Sequence, residues 1–249
     1  MKYIAILPSL TLFTANVLAG EVKSNNEKLA DDPTKITTQL GISYSDYYDF
    51  GGETIFISGS LALDEVRKLN VSANSSGSEW RVGGSWLFDI GIVNFNFGKN
   101  EFEDGSTQTN YSIGTFMPLS YFGFQPLGIQ IFPMAGYSYN DGENKCYVNN
   151  PGSPCFNETP EINEDYIMVS NQAHSGYLGA FALKPLSESW TLMAMGGGSA
   201  GSNDYSGYWL GGGVGYSLSE SHSFSIFTFL VDNSYGSEEK FGVSYKYQL

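Results

Sequence analysis

From residue 35 onward the chain alternates between apolar and small or polar residues with a period of two. That is the spacing of a β-strand, whose successive side chains point to opposite faces. The last nine residues show it most plainly. Phe241, Val243, Tyr245, Tyr247 and Leu249 alternate with Gly242, Ser244, Lys246 and Gln248. Near the start, Ile36, Thr38, Leu40, Ile42 and Tyr44 alternate with Thr37, Gln39, Gly41, Ser43 and Ser45. Ten further segments follow the same rule: 54–63, 66–73, 79–88, 91–98, 107–117, 127–139, 174–183, 190–199, 206–218 and 222–231. In 79–88 the apolar face is Trp80, Val82, Trp86 and Phe88; in 174–183 it is Tyr177, Phe181 and Leu183. The pattern predicts twelve strands, or ten if 54–73 forms one irregular hairpin.

Each segment is close to the ~9–11 residues that a tilted strand needs to cross a bilayer. The connectors alternate in length. Ser219–Ser221 and Lys184–Glu188 are short, whereas Lys99–Ser106, Asn140–Ala173, Gly201–Tyr205 and Asp232–Glu239 are longer and polar. Short turns at one end and long loops at the other suit periplasmic and exterior sides of a membrane barrel. The connector Pro118–Pro126 departs from the rule, and its Tyr121, Phe122 and Phe124 read as aromatics at a membrane interface.

Composition supports the same class. Of 249 residues 30 are Gly, 17 Tyr and 17 Phe, and only 15% are charged, against about 25% in soluble domains. The fold class expected is all-β: a transmembrane antiparallel up-and-down barrel with its apolar faces toward lipid. A soluble sandwich or lipocalin-like barrel also has period-two strands. Its outer faces would carry more Lys, Glu and Asp than the Gly, Ser and Thr found here. No run of 18 apolar residues exists, which excludes a helical membrane protein.

The first residues read as a secretory signal: Lys2, an apolar run from Tyr3 to Leu18, and the small-residue site Val17-Leu18-Ala19. Pro8 and Asn16 make the run a poor membrane anchor. The expected organisation is a cleaved signal over 1–19, a flexible leader or lumenal plug over 20–34, and the barrel over 35–249.

The net charge is −14, so no basic footprint for nucleic acid exists. The acids cluster between strands, at Glu101, Glu103 and Asp104, at Glu158, Glu161, Glu164 and Asp165, and at Glu238 and Glu239. They read as solvated loops. Few charges are expected to project inward. Cys146 and Cys155 lie in a polar stretch, and in an exported protein they read as one disulfide closing an exterior loop. Without a nearby His or further Cys, they are no zinc site.

Candidate chemistry is sparse. Ser175 and Ser223 each follow a histidine directly, so His174 and His222 point to the opposite faces of their strands. The two histidines belong at opposite ends of the barrel. Asp46 with Asp49, or Asp204 with Asp232, are the carboxylate pairs available for acid–base work at the outer rim, and chance pairing explains them as well. No catalytic, cofactor or metal set is expected. Gly211-Gly212-Gly213-Val214-Gly215 lacks the strand-to-helix context of a phosphate loop. On a strand, Gly211, Gly213 and Gly215 form a bare stripe, extended by Gly197, on which an aromatic or a plug segment can lie. Asn110-Tyr111-Ser112 and Asn157-Glu158-Thr159 match a glycosylation sequon by coincidence.

The terminal strand, Phe241, Val243, Tyr245, Tyr247 and Leu249, resembles the assembly signal of Gram-negative outer-membrane proteins. It departs at the last position, where that family has Phe. The resemblance implies outer-membrane lipid, lipopolysaccharide and the barrel-assembly machinery as partners. Twelve strands and small size look like the solitary autotransporter-like barrels. The functions expected are a small channel or a structural, surface-interacting barrel, or adhesion through the loop 140–173.

Overall fold

The computed structural model describes residues 28–47, 52–102, 105–147, 166–234 and 236–249. Twelve antiparallel strands close into one barrel: β1 (Gln39–Tyr47), β2 (Gly52–Ala62), β3 (Arg67–Asn74), β4 (Glu79–Phe88), β5 (Gly91–Glu101), β6 (Thr107–Phe116), β7 (Gln130–Tyr147), β8 (Tyr166–Pro185), β9 (Trp190–Gly201), β10 (Ser206–Ser217), β11 (His222–Asn233) and β12 (Gly236–Gln248). Each strand pairs with its sequence neighbours, and β1 closes on β12 from Gln39↔Gln248 to Tyr47↔Lys240. No sheet edge is left along the closed part of the wall, which satisfies the backbone in lipid. The residues of 54–73 form two full strands, so the count is twelve.

The wall is turned inside out relative to a soluble protein. Leu40, Ile42, Ile57, Val71, Val82, Phe95, Ile113, Leu178, Leu210, Ile226 and Val243 are all exposed, with Ile57 at 62% and Leu178 at 69%. Aromatics gather in two belts around this surface. Trp80, Phe97, Tyr111, Tyr139 and His174 form a chain of ring contacts from β4 to β8, with successive centroids 5.2, 4.9, 6.1 and 4.6 Å apart. At the other end Trp86 stacks on Phe88, and Trp190 meets Tyr216 and His222 meets Tyr247 in tilted contacts. An apolar band between two aromatic girdles matches the cross-section of a bilayer.

Strand β8 corrects one sequence expectation. Tyr177, Phe181 and Leu183 face the lumen, and Leu183 is fully buried. The register pairs Tyr177 with Gly136 and Phe181 with Phe132, which is itself 1% exposed. The lipid face of β8 is instead Gly176, Leu178, Ala180 and Ala182. Small residues are tolerated toward lipid, whereas the large rings fill a lumen that is partly packed. Ile92 on β5 is also fully buried, and Phe132 and Phe181 meet with ring centroids 6.1 Å apart.

The loop lengths are also corrected. The stretch 232–239 is almost all strand, since β11 runs to Asn233 and β12 begins at Gly236. Likewise 140–147 and 166–173 are strand, and β7 and β8 pair over eighteen positions as a hairpin that outruns its neighbours. Polar residues there do not break the strands because no lipid has to be faced beyond the rim. The tight connection between β9 and β10 holds Asn203 and Asp204 both at positive φ, 57° and 56°, as a two-residue hairpin turn requires. At the other end, 117–129 forms two 3-10 turns that leave Phe122 and Phe124 exposed, as expected of interface aromatics.

Candidate functional site

Glycines on the inner wall set what can sit inside. Trp209 lies over Gly197 and Gly179: a β-carbon on Gly197 would fall 2.3 Å from the indole, and one on Gly179 would fall 3.0 Å from it. Tyr177 covers Gly114 and Gly136 in the same way, and Phe229 covers Gly211. The expected bare stripe is therefore covered at Gly197 and Gly211 by aromatic side chains of the wall itself. Gly215 is different, because what approaches it is the carboxylate of Asp31, 2.7 Å from where a β-carbon would be.

Asp31 belongs to residues 28–38, which precede β1 and enter the lumen. Ile36, expected as the first lipid-facing residue of β1, is buried at 3% exposure, and β1 begins only at Gln39. The sequence Asp32-Pro33-Thr34 explains the local shape. The Asp32 carboxylate accepts from the Thr34 amide (2.8 Å) and hydroxyl (2.6 Å), a side-chain turn that Pro33 pre-forms. The amide of Asp32 donates to the Leu29 carbonyl and that of Lys35 to the Asp32 carbonyl, both at 3.1 Å. Lys28 Nζ closes the knot on the Thr34 carbonyl at 3.0 Å.

Side-chain and backbone contacts tie residues 28–38 to the wall, among them the Leu249 amide on the Thr38 carbonyl at 3.0 Å. Lys246 Nζ on β12 pairs with Asp31 Oδ1 at 2.8 Å. Lys68 Nζ on β3 donates to the Lys35 carbonyl at 2.6 Å. The Ser60 hydroxyl donates to the Thr37 carbonyl at 2.7 Å, and the Ala62 amide donates to Thr38 Oγ1 at 3.1 Å. Burial lowers the pKa values of Lys28 and Lys35 from their ordinary range, opposed by the nearby aspartates.

Beyond the knot the wall from β12 round to β5 is polar. A cavity of about 190 Å³ is bounded by Ser58, Ser60, Asn70, Ser72, Arg81 and Asn96 among others. Neighbouring strands are stitched by side chains: Asn70 to Ser85 (3.2 Å), Asn110 to Asn140 (2.6 Å), Ser138 to Ser175 (2.8 Å) and Ser225 to Ser244 (2.6 Å). Toward the opposite mouth, Lys240 Nζ lies 3.7 Å from Glu238 and over the rings of Tyr47 and Phe229. The expectation of few inward charges is thus corrected, because Lys68, Glu79, Arg81, Glu238, Lys240 and Lys246 occupy the inward positions of their strands. Isolated charges in alternating strands carry no motif, so parity was their only signal.

The two histidines stand apart. His174 is exposed on the outer girdle, with Tyr137 at its ring and its amide on Ser202, and Ser175 is buried on the opposite face. His222 bonds Tyr245 at the other end. Asp46 pairs in register with Glu53 on the outer face of β1, and Asp49 lies outside the described residues. Asp232 accepts from the Tyr208 hydroxyl at 3.4 Å, while Asp204 sits in the β9–β10 turn. Among the described residues no group of three or more potential metal ligands gathers. Cys146 lies at the end of β7, and Cys155 and Asn157 fall outside the described residues.

No protein-family model and no curated protein matches the chain. Solved structures do. The translocator domain of the autotransporter NalP from Neisseria meningitidis aligns with a TM-score of 0.58 at 12% identity, over 85% of this chain and 87% of that one. The NanC porin aligns at 0.56 and 10% identity, over 84% of this chain and all of the other. The β domain of the Bordetella autotransporter BrkA aligns at 0.50 and 13% identity, over 86% of this chain and all of that one. The fold is that of an outer-membrane β-barrel, resembling both translocator domains and porins.

Proposed function

We propose that this barrel is an outer-membrane channel for small hydrophilic solutes, with residues 28–36 as a plug at its periplasmic end. The observation that carries the reading is the pairing of a polar inner wall with a separately folded segment tied to it. That wall would serve no purpose in a fully packed barrel, and the segment holds itself together with its own hydrogen bonds. The signal 1–19 delivers the chain to the envelope, leaving 20–34 free to enter the lumen. The lipid-facing Phe241, Val243, Tyr245, Tyr247 and Leu249 serve as the assembly signal. The test is conductance in planar bilayers. Wild-type protein is expected to conduct weakly, and removal of residues 20–36 from the mature chain to raise conductance. Equal conductance by the two forms would overturn the plug.

A second reading concerns the hairpin of β7 and β8, whose extra length past the rim favours surface presentation. A Cys146–Cys155 bond would close its tip. Non-reducing peptide mapping of the exported protein tests this through a linked pair of peptides that separates on reduction.

A further inference from the structure

We infer that the floor of the lumen is an oxyanion site, now occupied by the carboxylate of Asp31. The inference rests on the plugged-channel reading and names what the channel would hold. The whole chain has 12 basic residues against 26 acidic ones, so a local basic excess does not follow from composition. Yet Lys28, Lys35, Lys68 and Lys246 converge here, within electrostatic reach of Asp31 and Asp32. Among the described residues, four lysines against two carboxylates leave a formal excess of two positive charges in a confined space where screening by salt is weak.

The aspartates are not equivalent. Asp32 is committed to Thr34. Asp31 bridges outward to Lys246, and this is the ion pair that ties the segment to the wall among the described residues. Lys28 and Lys68 donate to backbone carbonyls, which are neutral partners. An ammonium offers three donors, so both lysines keep capacity for a charged oxygen. The polar cavity adjoins the site, since Ser60 borders it while holding Thr37, and Asn70 lies two residues along the same face from Lys68. A small solute with a carboxylate or phosphate group could enter there, take Lys246 and Lys68, and displace Asp31. Binding and release of the segment would then be coupled, each favouring the other.

The test uses the refolded full-length barrel in detergent, with calorimetric titration of inorganic phosphate, glucuronate and, as neutral control, glucose. Phosphate and glucuronate are both expected to bind, and glucose not. A response to one anion alone identifies that group as the ligand chemistry. Lys246→Met and Lys68→Met are expected to weaken binding about tenfold or more, the scale of a lost charge-assisted contact. Asp31→Asn removes the competitor and is expected to tighten binding about three- to tenfold. It lies outside the strands, so it decides the matter if the lysine variants fail to show the circular dichroism of a folded barrel. No anion binding by wild type and Asp31→Asn overturns the inference. If Asp31→Asn conducts more but binds nothing, the channel stands and the site falls. If anions bind but no variant conducts, the site stands and the channel falls.

Discussion

Single residues carry different burdens according to which way they point. Ile57 faces lipid near the middle of β2, so Ile57→Lys is expected to cost ~2–4 kcal/mol of folding free energy in bilayers. Ser72→Lys, on the neighbouring strand β3 but facing the polar lumen, is expected to cost far less. Urea titration of both variants in lipid vesicles checks the contrast. Gly197 is the sharpest case on the inner wall, because a side chain there meets the Trp209 ring and also backbone of β8 at 2.6 Å. Gly197→Val is expected to destabilise by about 1–3 kcal/mol, the usual scale of overpacking, measured by the same titration. Trp209→Ala should relieve part of that penalty in a double-mutant comparison, since the indole accounts for one of the two clashes.

Among the elements, the segment 28–38 is the one whose behaviour depends on conditions. Burial favours the neutral forms of Lys28 and Lys35, so the docked segment binds fewer protons than the released one. Docking therefore strengthens as pH rises toward the ordinary lysine value of 10.5 and weakens as pH falls. Channel conductance is expected to decline as pH rises toward 10.5, and the decline should vanish when residues 20–36 are removed. The turn between β2 and β3 has the same sign in the carboxylate range of pH. Hydrogen bonds from Arg67 and Val66 hold the Asp64 carboxyl below its usual range, so this turn loosens only as pH falls through that lowered value.

For the whole molecule, the exposed apolar band and the two aromatic girdles are only compatible with a lipid or detergent surround. The mature chain is expected to regain its β circular dichroism in vesicles and to aggregate in plain buffer. A soluble, folded monomer by analytical ultracentrifugation without detergent would contradict the membrane assignment.

Much of this architecture was legible in the linear pattern, because a period of two maps directly onto the two faces of a strand. Glu79–Phe88 begins and ends where the alternation does, and Phe241 to Leu249 presents its aromatics to lipid as the pattern implies. Parity misled at β8, where both faces carry apolar residues and only pairing with β7 decides that Tyr177 and Leu183 turn inward. It also missed the end of the leader. Ile36 continues the alternation of β1 in sequence, yet the chain has already left the wall there. The amino-acid order by itself determined the strand period, the membrane-facing belt and the glycine stripe, all of which are local consequences of side-chain alternation, and it left ten or twelve strands open. Only the tertiary structure decided that Lys28, Lys35, Lys68 and Lys246 share one place with Asp31. That meeting depends on barrel closure and on the path of a segment outside the strands, and neither leaves a period in the chain.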